Sequence, residues 1–479
     1  MSTMTRAQYQ EINTLLQSFV ADTLDFYGTM KAQPVAPGIS EDTLAHLEKT
    51  AIPETGRPLA EVYLEMCQEV YANTVRQQHP RSFACIPSTM SPLSWMGEVM
   101  TAAFNPHASC QINAPAADLI EKKLIRWMCE LAGYPEGSGG LFVSGGSIAN
   151  LTALTAARDA KLKTEDLPKG VVYLSDQTHA SVAKALHIIG LGLDQIRKLG
   201  TKADFTLNTS ELEAAIEIDL AQGKIPVAVV ASAGTTNTGS VDPLDEIADI
   251  CRHYGLWMHV DGAFGASALL SEAQKSRLSG IEYADSLSWD AHKWMLQSYG
   301  CSVLLVRNQK HLVKSFAAHP EYLKDAEAAE GLPEFWDLGP ELTRPARGLK
   351  LWFTLQTLGS QAFAGAIDHG CALAELAEKI VASRPGWEIV SPASLGILNF
   401  RCVGGGDLSA ETQDSLNQEI ARRVTESGFA QVFTTELRGR KVIRLCIINP
   451  ETTEADLRQT LDLIFRAGEK AGFGEMQSA

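Results

Sequence analysis

The sequence predicts an α/β protein built on a large, mostly parallel β-sheet that is covered by helices. From about residue 114 to residue 307, short apolar runs rich in β-branched residues alternate with stretches of helical periodicity. This alternation is the pattern of strands joined by crossover helices. The runs are apolar at nearly every position, as expected for strands buried in a parallel sheet. The predicted strands are 140–143, 171–174, 225–231, 256–260, 286–288 and 302–306.

The segments on either side of this central part predict smaller units. Before it, residues 9–27 and 59–75 have the periodicity of helices, with Pro-bearing connections and no catalytic cluster. After it, strand candidates at 395–402 and 442–448 precede an amphipathic helix at 454–467. The chain therefore predicts a helical first segment and a small α+β unit at its end.

We expect three parts, with boundaries where these patterns change. A helical segment at 1–91 is suited to packing or dimer contacts, the large α/β domain spans 92–350, and a small α+β domain spans 351–479. A helical stretch at 348–358 lies at the last boundary. Residues 321–345 mix acids, Gly, Pro and aromatic residues, which is typical of a mobile loop over a site.

Composition excludes several classes of function. The 479 residues include 41 basic and 57 acidic side chains, and the net charge of -16 disfavours nucleic acids and anionic membranes as partners. The nine cysteines are scattered without a Cys-x-x-Cys pair, so neither disulfides nor a metal site is expected. Because the sequence has no signal-peptide core and no apolar run that could span a bilayer, we expect a soluble cytoplasmic protein.

The run Gly145-Gly146-Ser147 predicts an anion site, because it joins an apolar strand to a helix expected to start near Ala149. Glycines let the backbone close around an oxyanion, the first helical turn directs N–H groups at it, and Ser147 can add a hydroxyl donor. A purely structural turn would have the same sequence. A hydrolase elbow is disfavoured because Ala149 replaces its last glycine, and a P-loop because no Gly-Lys-Ser/Thr follows.

Lys293 follows a short strand in the run SWDAHKW. An amine among apolar side chains is poorly hydrated, which favours its uncharged, nucleophilic form and suits a Schiff-base lysine. A lysine that merely reaches the surface would have the same motif.

Asp261 ends another apolar strand, in the run WMHVDGA. Ligands of open α/β sheets bind at the carboxyl ends of strands. An acid there can be a metal ligand or a helix cap, but no second ligand follows at a suitable spacing. An acid upstream of an imine-forming lysine fits a partner for a pyridinium nitrogen, which lets the ring accept electrons.

Two polar segments follow further strands of the predicted sheet. His179 stands in SDQTHAS after the strand at 171–174, and Thr236 stands in GTTNTG after the strand at 225–231. Helix capping and turn chemistry would explain both segments. The functional alternative places the His179 ring against a cofactor ring and the Thr236 hydroxyl near the ring oxygen or the phosphate.

Taken in order, these motifs resemble the group II pyridoxal-phosphate decarboxylases, which act on aromatic amino acids, glutamate and related substrates. The matching segments are 142–150, 176–181, 234–236, 259–263 and His292-Lys293. The resemblance begins before His79-Pro80-Arg81, continues through ELTRPARGLK at 341–350 and extends into the C-terminal part. Within this family, the sequence resembles bacterial tryptophan decarboxylases in particular.

The resemblance implies the PLP-dependent transferase fold, fold type I, with a seven-stranded sheet. It also implies a homodimer with active sites at the subunit interface and pyridoxal 5'-phosphate as the cofactor. The resemblance implies that Lys293 forms an imine with the cofactor and that Asp261 pairs with the pyridine nitrogen. It implies that His179 stacks on one face of the ring and Ala263 packs on the other, and that Gly146 and Ser147 contact the phosphate. Thr236 is implied to support the cofactor, and His292 to lie beside it.

The implied reaction is decarboxylation of an aromatic L-amino acid to an amine and CO2. Many animal and plant members carry a loop tyrosine that is thought to protonate the substrate carbon, whereas Phe335 and Trp336 stand near that position here and Tyr322 lies earlier. The proton donor is therefore open, with His179, another residue or water as candidates. An oxidative variant yielding aldehyde, ammonia and peroxide is an alternative, and a cofactor-binding regulator is disfavoured by the negative charge.

A substrate pocket is implied by residues at the family's pocket positions. Its apolar lining favours tryptophan, phenylalanine or tyrosine over acidic amino acids, and the small Cys85 leaves room for an indole. Core packing would explain the same residues. The pocket candidates are Phe83, Cys85, Ile86, Pro87 and His107, together with Phe335 and Trp336 from the loop.

Overall fold

Two β-sheets organise the computed structural model, which describes residues 4–86, 89–317, 333–404 and 408–473. The larger sheet contains β1 (Gly139–Val143), β2 (Gly170–Ser175), β3 (Ile196–Leu199), β4 (Ile225–Ser232), β5 (Trp257–Asp261), β6 (Ser286–Trp289) and β7 (Ser302–Val306). Their order is β1-β7-β6-β5-β4-β2-β3, and β7 runs opposite to the other six strands. The predicted mostly parallel, seven-stranded sheet is confirmed.

Six of these strands match the predicted apolar runs, and β3 is the one that the sequence does not predict. It lies at the edge of the sheet, and its first three residues, which include Arg197 and Lys198, are partly or fully exposed. Charged side chains on an edge strand discourage further pairing. They also remove the apolar pattern that reveals the interior strands.

Helices pack against this sheet, and α6 lies across its centre, in contact with β5, β6 and β7. No helix in the described ranges is both long and apolar enough to cross a bilayer. The helices of the central part are α4 (Pro92–Phe104), α5 (Pro115–Leu131), α6 (Gly146–Lys161), α7 (Ala180–Ile188), α8 (Thr209–Ala221), α9 (Leu244–Tyr254), α10 (Lys310–Phe316) and α11 (Leu349–Leu358).

The N-terminal helices are α1 (Arg6–Gly28), α2 (Glu41–Lys49) and α3 (Leu59–Glu65), which confirms a helical first segment. The helix α1 starts with a capping box in which Thr5 and Gln8 satisfy each other's backbone N–H groups. None of its residues is buried in a single chain. Its apolar side chains Leu16, Val20 and Leu24 are exposed.

The C-terminal part forms a second, antiparallel sheet in the order β10-β11-β9-β8, with β8 (Trp387–Ser394), β9 (Ile397–Cys402), β10 (Phe433–Leu437) and β11 (Arg440–Cys446). The remaining helices are α12 (Ser360–Ala382), α13 (Ala410–Glu426) and α14 (Glu454–Phe473). Because α12 contributes buried residues to the cores of both sheets, it joins the two units. The domain boundaries at 91 and 350 stay predictions.

The second half of the expected mobile loop is packed, which corrects that expectation for residues 333–345. Phe335 starts a short 3-10 helix whose three residues are buried. The backbone N–H of Trp336 donates to the Ser109 carbonyl at 3.2 Å, and Glu334 Oε2 accepts from the Gln111 N–H at 3.0 Å. These bonds tie the segment to the chain ahead of α5. Residues 321–332, which include Tyr322, lie outside the described residues.

A buried ion pair fixes the end of β1. Arg344 Nη2 lies 2.7 Å from Glu121 Oε1 and 2.7 Å from the carbonyl of Phe142, and Glu121 also accepts the Phe142 N–H at 3.0 Å. Breaking a buried pair on one side leaves an uncompensated charge, at a cost of roughly 3–5 kcal/mol. The strand that leads into the glycine turn is therefore held rigidly.

Candidate active site

Five loops meet at the carboxyl edge of the parallel strands and enclose a cavity of about 280 Å³. They follow β1, β2, β4, β5 and β6, as expected for ligand sites of open α/β sheets. Of the residues predicted for cofactor binding and catalysis, the cavity brings together Gly146, Ser147, His179, Thr236, Asp261, Ala263, His292 and Lys293. No single motif could establish this convergence, because it depends on the order of the strands in the sheet.

Lys293 enters the cavity from the turn after β6. The flanking Trp289 and Trp294 are fully buried, while a quarter of the Lys293 side chain is exposed. The tryptophans hold the turn, and the amine reaches the open side of the cavity. Its Nζ lies 3.1 Å from Asp290 Oδ2, so a carboxylate three residues earlier orients the amine.

Asp261 is buried at the end of β5 and is held by three hydrogen bonds. Oδ1 accepts from the Ala263 N–H and the Ser288 hydroxyl, both at 3.1 Å, and Oδ2 accepts from Asn150 Nδ2 at 3.0 Å. Burial by itself raises the pKa of Asp261, but the charge of Lys293 and these bonds outweigh burial, so the pKa lies below its ordinary value. The carboxylate is therefore ionised at neutral pH.

The predicted anion site, Gly145-Gly146-Ser147, forms where β1 passes into α6. The helix begins at Gly146, with Gly145 as its N-cap, which is three residues before the predicted start near Ala149. A Cβ on Gly146 would lie 3.0 Å from Asp290 Oδ2, so a larger residue would crowd the cavity wall. The first-turn N–H groups of a helix have no partner within the helix, and the exposed Ser147 stands beside them.

His179 and Thr236 border the same cavity from the loops after β2 and β4. His179 itself caps α7, because its Nδ1 accepts from the Ser181 N–H at 3.3 Å. The carbonyl of Thr236 accepts from Arg444 Nη1 at 2.9 Å, which ties the turn to β11. The turn needs Gly239, since a Cβ there would lie 2.1 Å from the Ser394 carbonyl oxygen.

His292 is buried next to Lys293 and serves as a donor to the backbone. Its Nδ1 lies 3.1 Å from the carbonyl oxygen of Cys301, and its Nε2 lies 3.5 Å from Asp290 Oδ2. Burial lowers the pKa of His292, and the nearby Asp290 offsets only part of that effect. The ring therefore contributes shape and a fixed hydrogen bond to the cavity wall.

The predicted substrate-pocket residues do not line this cavity in a single chain. Phe83 lies in the core of the C-terminal unit, so core packing explains it. Cys85 is exposed and Ile86 packs against the main core. His107 bonds to Asn113 Nδ2 at 2.9 Å. Pro87 lies outside the described residues.

The two aromatic residues of the predicted loop are buried away from the cavity. The ring of Phe335 stacks 4.9 Å from the Arg344 guanidinium, and Trp336 is held by Ser109. Phe335 also borders a second cavity, of about 550 Å³, next to Lys122. A substrate pocket made of these residues stays a prediction about the assembled dimer.

The cavity also contains residues to which the sequence assigns no role. Asn150 and Ser181 stand inside predicted motifs, so their proximity to the site has a signal in the sequence, although their contacts do not. Asp290 stands three residues before Lys293, and Tyr299 comes from a turn that no pattern marks. The residues missed in this way are Asn150, Ser181, Asp290, Phe264 and Tyr299. Over the described ranges, no group of His, Cys, Asp and Glu side chains is arranged to hold a metal.

Two buried histidines are expected to make the stability of the fold depend on pH. Burial lowers the pKa of His259 and of His79 to about 4. Between pH 6.5 and 5 the unfolded chain therefore binds more protons than the folded chain, and the free energy of unfolding falls as the pH falls. Each histidine contributes on the order of 3 kcal/mol at most. Burial raises the pKa of Asp242 to about 6. Asp242 therefore binds a proton more readily in the folded chain and offsets the destabilising effect of about one of these two histidines.

Urea unfolding between pH 5 and 7 measures this effect. The wild type should lose stability towards pH 5, and His79→Gln should have a flatter profile because one of the histidines that bind a proton more readily in the unfolded chain is then absent. Wild-type stability that is constant or rises towards pH 5 would contradict the prediction.

Comparison with known proteins agrees with the chemistry of the site. A family model described as the pyridoxal-dependent decarboxylase conserved domain matches residues 42–403. An aromatic-L-amino-acid decarboxylase from Bacillus atrophaeus is 40% identical over 453 residues, 94% of each chain. A phenylacetaldehyde synthase from Arabidopsis thaliana is 32% identical over 473 residues, 96% of each chain. The crystal structure of Oryza sativa TDC with PLP and tryptamine has a TM-score of 0.92 and 28% identity, covering 98% of this chain and 100% of that chain.

The family model covers most of the chain, and the relatives match it almost from end to end. Pyridoxal phosphate is accordingly the cofactor of this protein. The chain belongs to the pyridoxal-dependent decarboxylase family and is a pyridoxal-phosphate-dependent amino-acid decarboxylase.

Proposed function

We propose that the protein converts an aromatic L-amino acid, tryptophan before phenylalanine or tyrosine, to the corresponding amine and CO2. The observation that carries the proposal is that the Lys293 amine and the ionised, buried Asp261 face one cavity, which also contains the predicted anion site. The relative named as an aromatic-L-amino-acid decarboxylase and the solved structure with tryptamine support the substrate class.

The lining suits the cofactor because its donors match a phosphorylated pyridine. The backbone of Gly146 and the Ser147 hydroxyl would hold the phosphate at the start of α6, and Asp261 would hold the ring nitrogen. When bound, pyridoxal phosphate accepts the electron pair that the departing carboxylate leaves on the substrate. The residues that would contact it are Gly146, Ser147, His179, Thr236, Asp261, Ala263, His292 and Lys293.

In catalysis, Lys293 would hold the cofactor covalently through its amine. Asp290, at 3.1 Å, orients this amine in the cavity. Asp261 would keep a proton on the ring nitrogen, because its ionised carboxylate is fixed by three hydrogen bonds.

His179 would face the substrate and is our candidate for the proton donor to its α-carbon. Its Nδ1 is engaged as an acceptor by the Ser181 N–H at 3.3 Å, so a neutral ring carries its hydrogen on Nε2. The residue borders the cavity and is exposed in a single chain. An exposed ring can exchange its proton with water between turnovers.

The working form would be a cytoplasmic homodimer with shared active sites. The helix α1 exposes Leu16, Val20 and Leu24, about half of each side chain, and α4 exposes Phe104 almost fully. Apolar surface of this kind favours a stable partner. A second chain would also bring the predicted pocket residues towards the cavity. The nine unpaired cysteines are consistent with a reducing compartment.

An aromatic aldehyde synthase is the second candidate. The phenylacetaldehyde synthase from Arabidopsis thaliana matches 96% of the chain. In addition, Phe335 stands near the position where many animal and plant members of the family have a tyrosine. Without that proton donor, O2 would oxidise the substrate carbon that loses CO2, and with one water molecule the products would be aldehyde, ammonia, CO2 and hydrogen peroxide.

The product mixture distinguishes these candidates. We expect the purified protein with pyridoxal phosphate to release amine and CO2 in equal amounts from tryptophan, more slowly from phenylalanine and tyrosine, and not from glutamate or aspartate. Amine, aldehyde and peroxide are quantified together by chromatography and a peroxidase assay. Aldehyde with peroxide would establish the second candidate, and turnover of acidic substrates alone would reject the aromatic assignment. Bound cofactor without any product would favour a regulator.

A further inference from the structure

Asn150 lies at the centre of the site, and the function proposed above uses it only as one of three hydrogen-bond donors to Asp261. It projects from α6 and is almost completely buried. Its Nδ2 donates to Asp261 Oδ2 at 3.0 Å and to Ser181 Oγ at 3.0 Å, and its Oδ1 lies 2.9 Å from His259 Nε2. Both N–H groups and the carbonyl of Asn150 are thus bonded to residues of β5 and α7, which leaves this amide no unpaired N–H.

The direction of each of these bonds is fixed by chemistry. An ionised Asp261 can only accept, so the amide must present its Nδ2 there and its Oδ1 to His259. Nε2 of His259 must then carry the hydrogen. Burial lowers the pKa of His259 to about 4, so its Nδ1 is bare and accepts from the Ser286 hydroxyl at 2.8 Å. That hydroxyl in turn accepts from Trp257 Nε1 at 2.8 Å.

A second branch runs from Asn150 to the opposite wall of the cavity. Because the Ser181 oxygen accepts from Asn150, its own hydrogen is free to point at His179 Nδ1, 2.8 Å away. The Ser181 N–H donates to the same nitrogen at 3.3 Å. Both donors require Nδ1 to be bare, so His179 holds its hydrogen on Nε2.

We propose that Asn150 is a positioning residue that sets the proton arrangement of the site: it keeps Asp261 ionised, holds the hydrogen of His259 on Nε2 and turns the Ser181 hydroxyl towards His179 Nδ1. The proposal rests on the proposed roles of Asp261 and His179 towards the cofactor and the substrate. One amide on α6 thereby couples the group proposed to hold the ring nitrogen to the candidate proton donor, through bonds that involve no cofactor atom.

A double-mutant cycle tests this coupling. Asn150→Leu has a similar volume and removes all three bonds. In the wild-type background it should raise the dissociation constant of pyridoxal phosphate about tenfold and lower kcat more than it changes KM. In the Asp261→Asn background the same replacement should change the dissociation constant less than twofold, because the charge that Asn150 stabilises is gone. The dissociation constant is measured by cofactor fluorescence on the cofactor-free protein.

Two further variants separate this role from packing. Asn150→Asp keeps the shape but places a carboxylate 3.0 Å from Asp261, and it should weaken cofactor binding more than Asn150→Leu does. Thr152→Val is the matched control, since Thr152 is buried on the same helix and bonds only to the Ile148 carbonyl. It should leave the dissociation constant unchanged even if the unfolding temperature falls.

The outcomes also separate this proposal from the proposed function. An equal effect of Asn150→Leu in both backgrounds would overturn the role of Asn150 and leave that of Asp261 standing. If Asp261→Asn alone changed neither cofactor affinity nor kcat, the roles of both residues would be overturned. A shared fall in unfolding temperature, with the dissociation constant unaffected in all Asn150 variants, would show that the amide serves only stability.

Discussion

Replacing Lys293 with alanine is expected to abolish covalent attachment of pyridoxal phosphate and to reduce turnover at least about a thousandfold. The amine faces the cavity and lies 3.1 Å from Asp290 Oδ2, while Trp289 and Trp294 fix the turn that carries it. Borohydride reduction followed by mass spectrometry of the intact chain should therefore detect the cofactor on the wild type and none on Lys293→Ala.

Lys198→Ala is the control for this experiment, because Lys198 is exposed on the edge strand β3. It should retain both the covalent cofactor and full turnover. Cofactor found on Lys293→Ala after reduction would assign the imine to another lysine. Unchanged turnover without attachment would mean that decarboxylation proceeds from cofactor held only by noncovalent contacts.

The fold could be predicted where the sequence of a single strand or helix shows a clear pattern of apolar residues. Interior strands such as β4 and β5 are buried on both faces, and their continuous apolar runs reveal them. Three strands escape prediction because their environments are mixed: β3 is a charged edge strand, and β8 and β10 are partly exposed along their length. Apolar periodicity alone cannot identify strands of this kind.

The site was predictable where a functional residue stands at the end of a strand or in the turn after it. Asp261 and Lys293 are such residues, and strand order alone brings them to one edge. The contact between Asn150 and Asp261 could not be predicted, because it forms only when α6 packs across the sheet. Nor could the burial of Phe335, which depends on the Arg344 guanidinium packing over its ring. Contacts between distant elements have no local signature.

Replacing Asp261 with asparagine is expected to leave the protein folded and to lower kcat by roughly three orders of magnitude. Asparagine has the same shape and can still accept from the Ser288 hydroxyl and the Ala263 N–H, which lie 3.1 Å from Oδ1. A neutral amide, however, cannot keep a proton on the ring nitrogen. The charge on the ring nitrogen matters more for accepting electrons from the substrate than for binding the substrate. KM should therefore change far less than kcat.

This prediction needs a control that separates charge at the cavity from charge in the core. Asp219 is equally buried, but it lies on α8 outside the cavity and pairs with Arg197 at 2.6 Å. Asp219→Asn should lower the unfolding temperature and leave kcat of the folded enzyme within about twofold of the wild type, since breaking a buried pair costs stability. CO2 release by cofactor-saturated enzyme measures both variants. Near-normal kcat in Asp261→Asn would mean that the reaction does not need a protonated ring, and the carboxylate would then serve only to hold Asn150 and Ser288 in place.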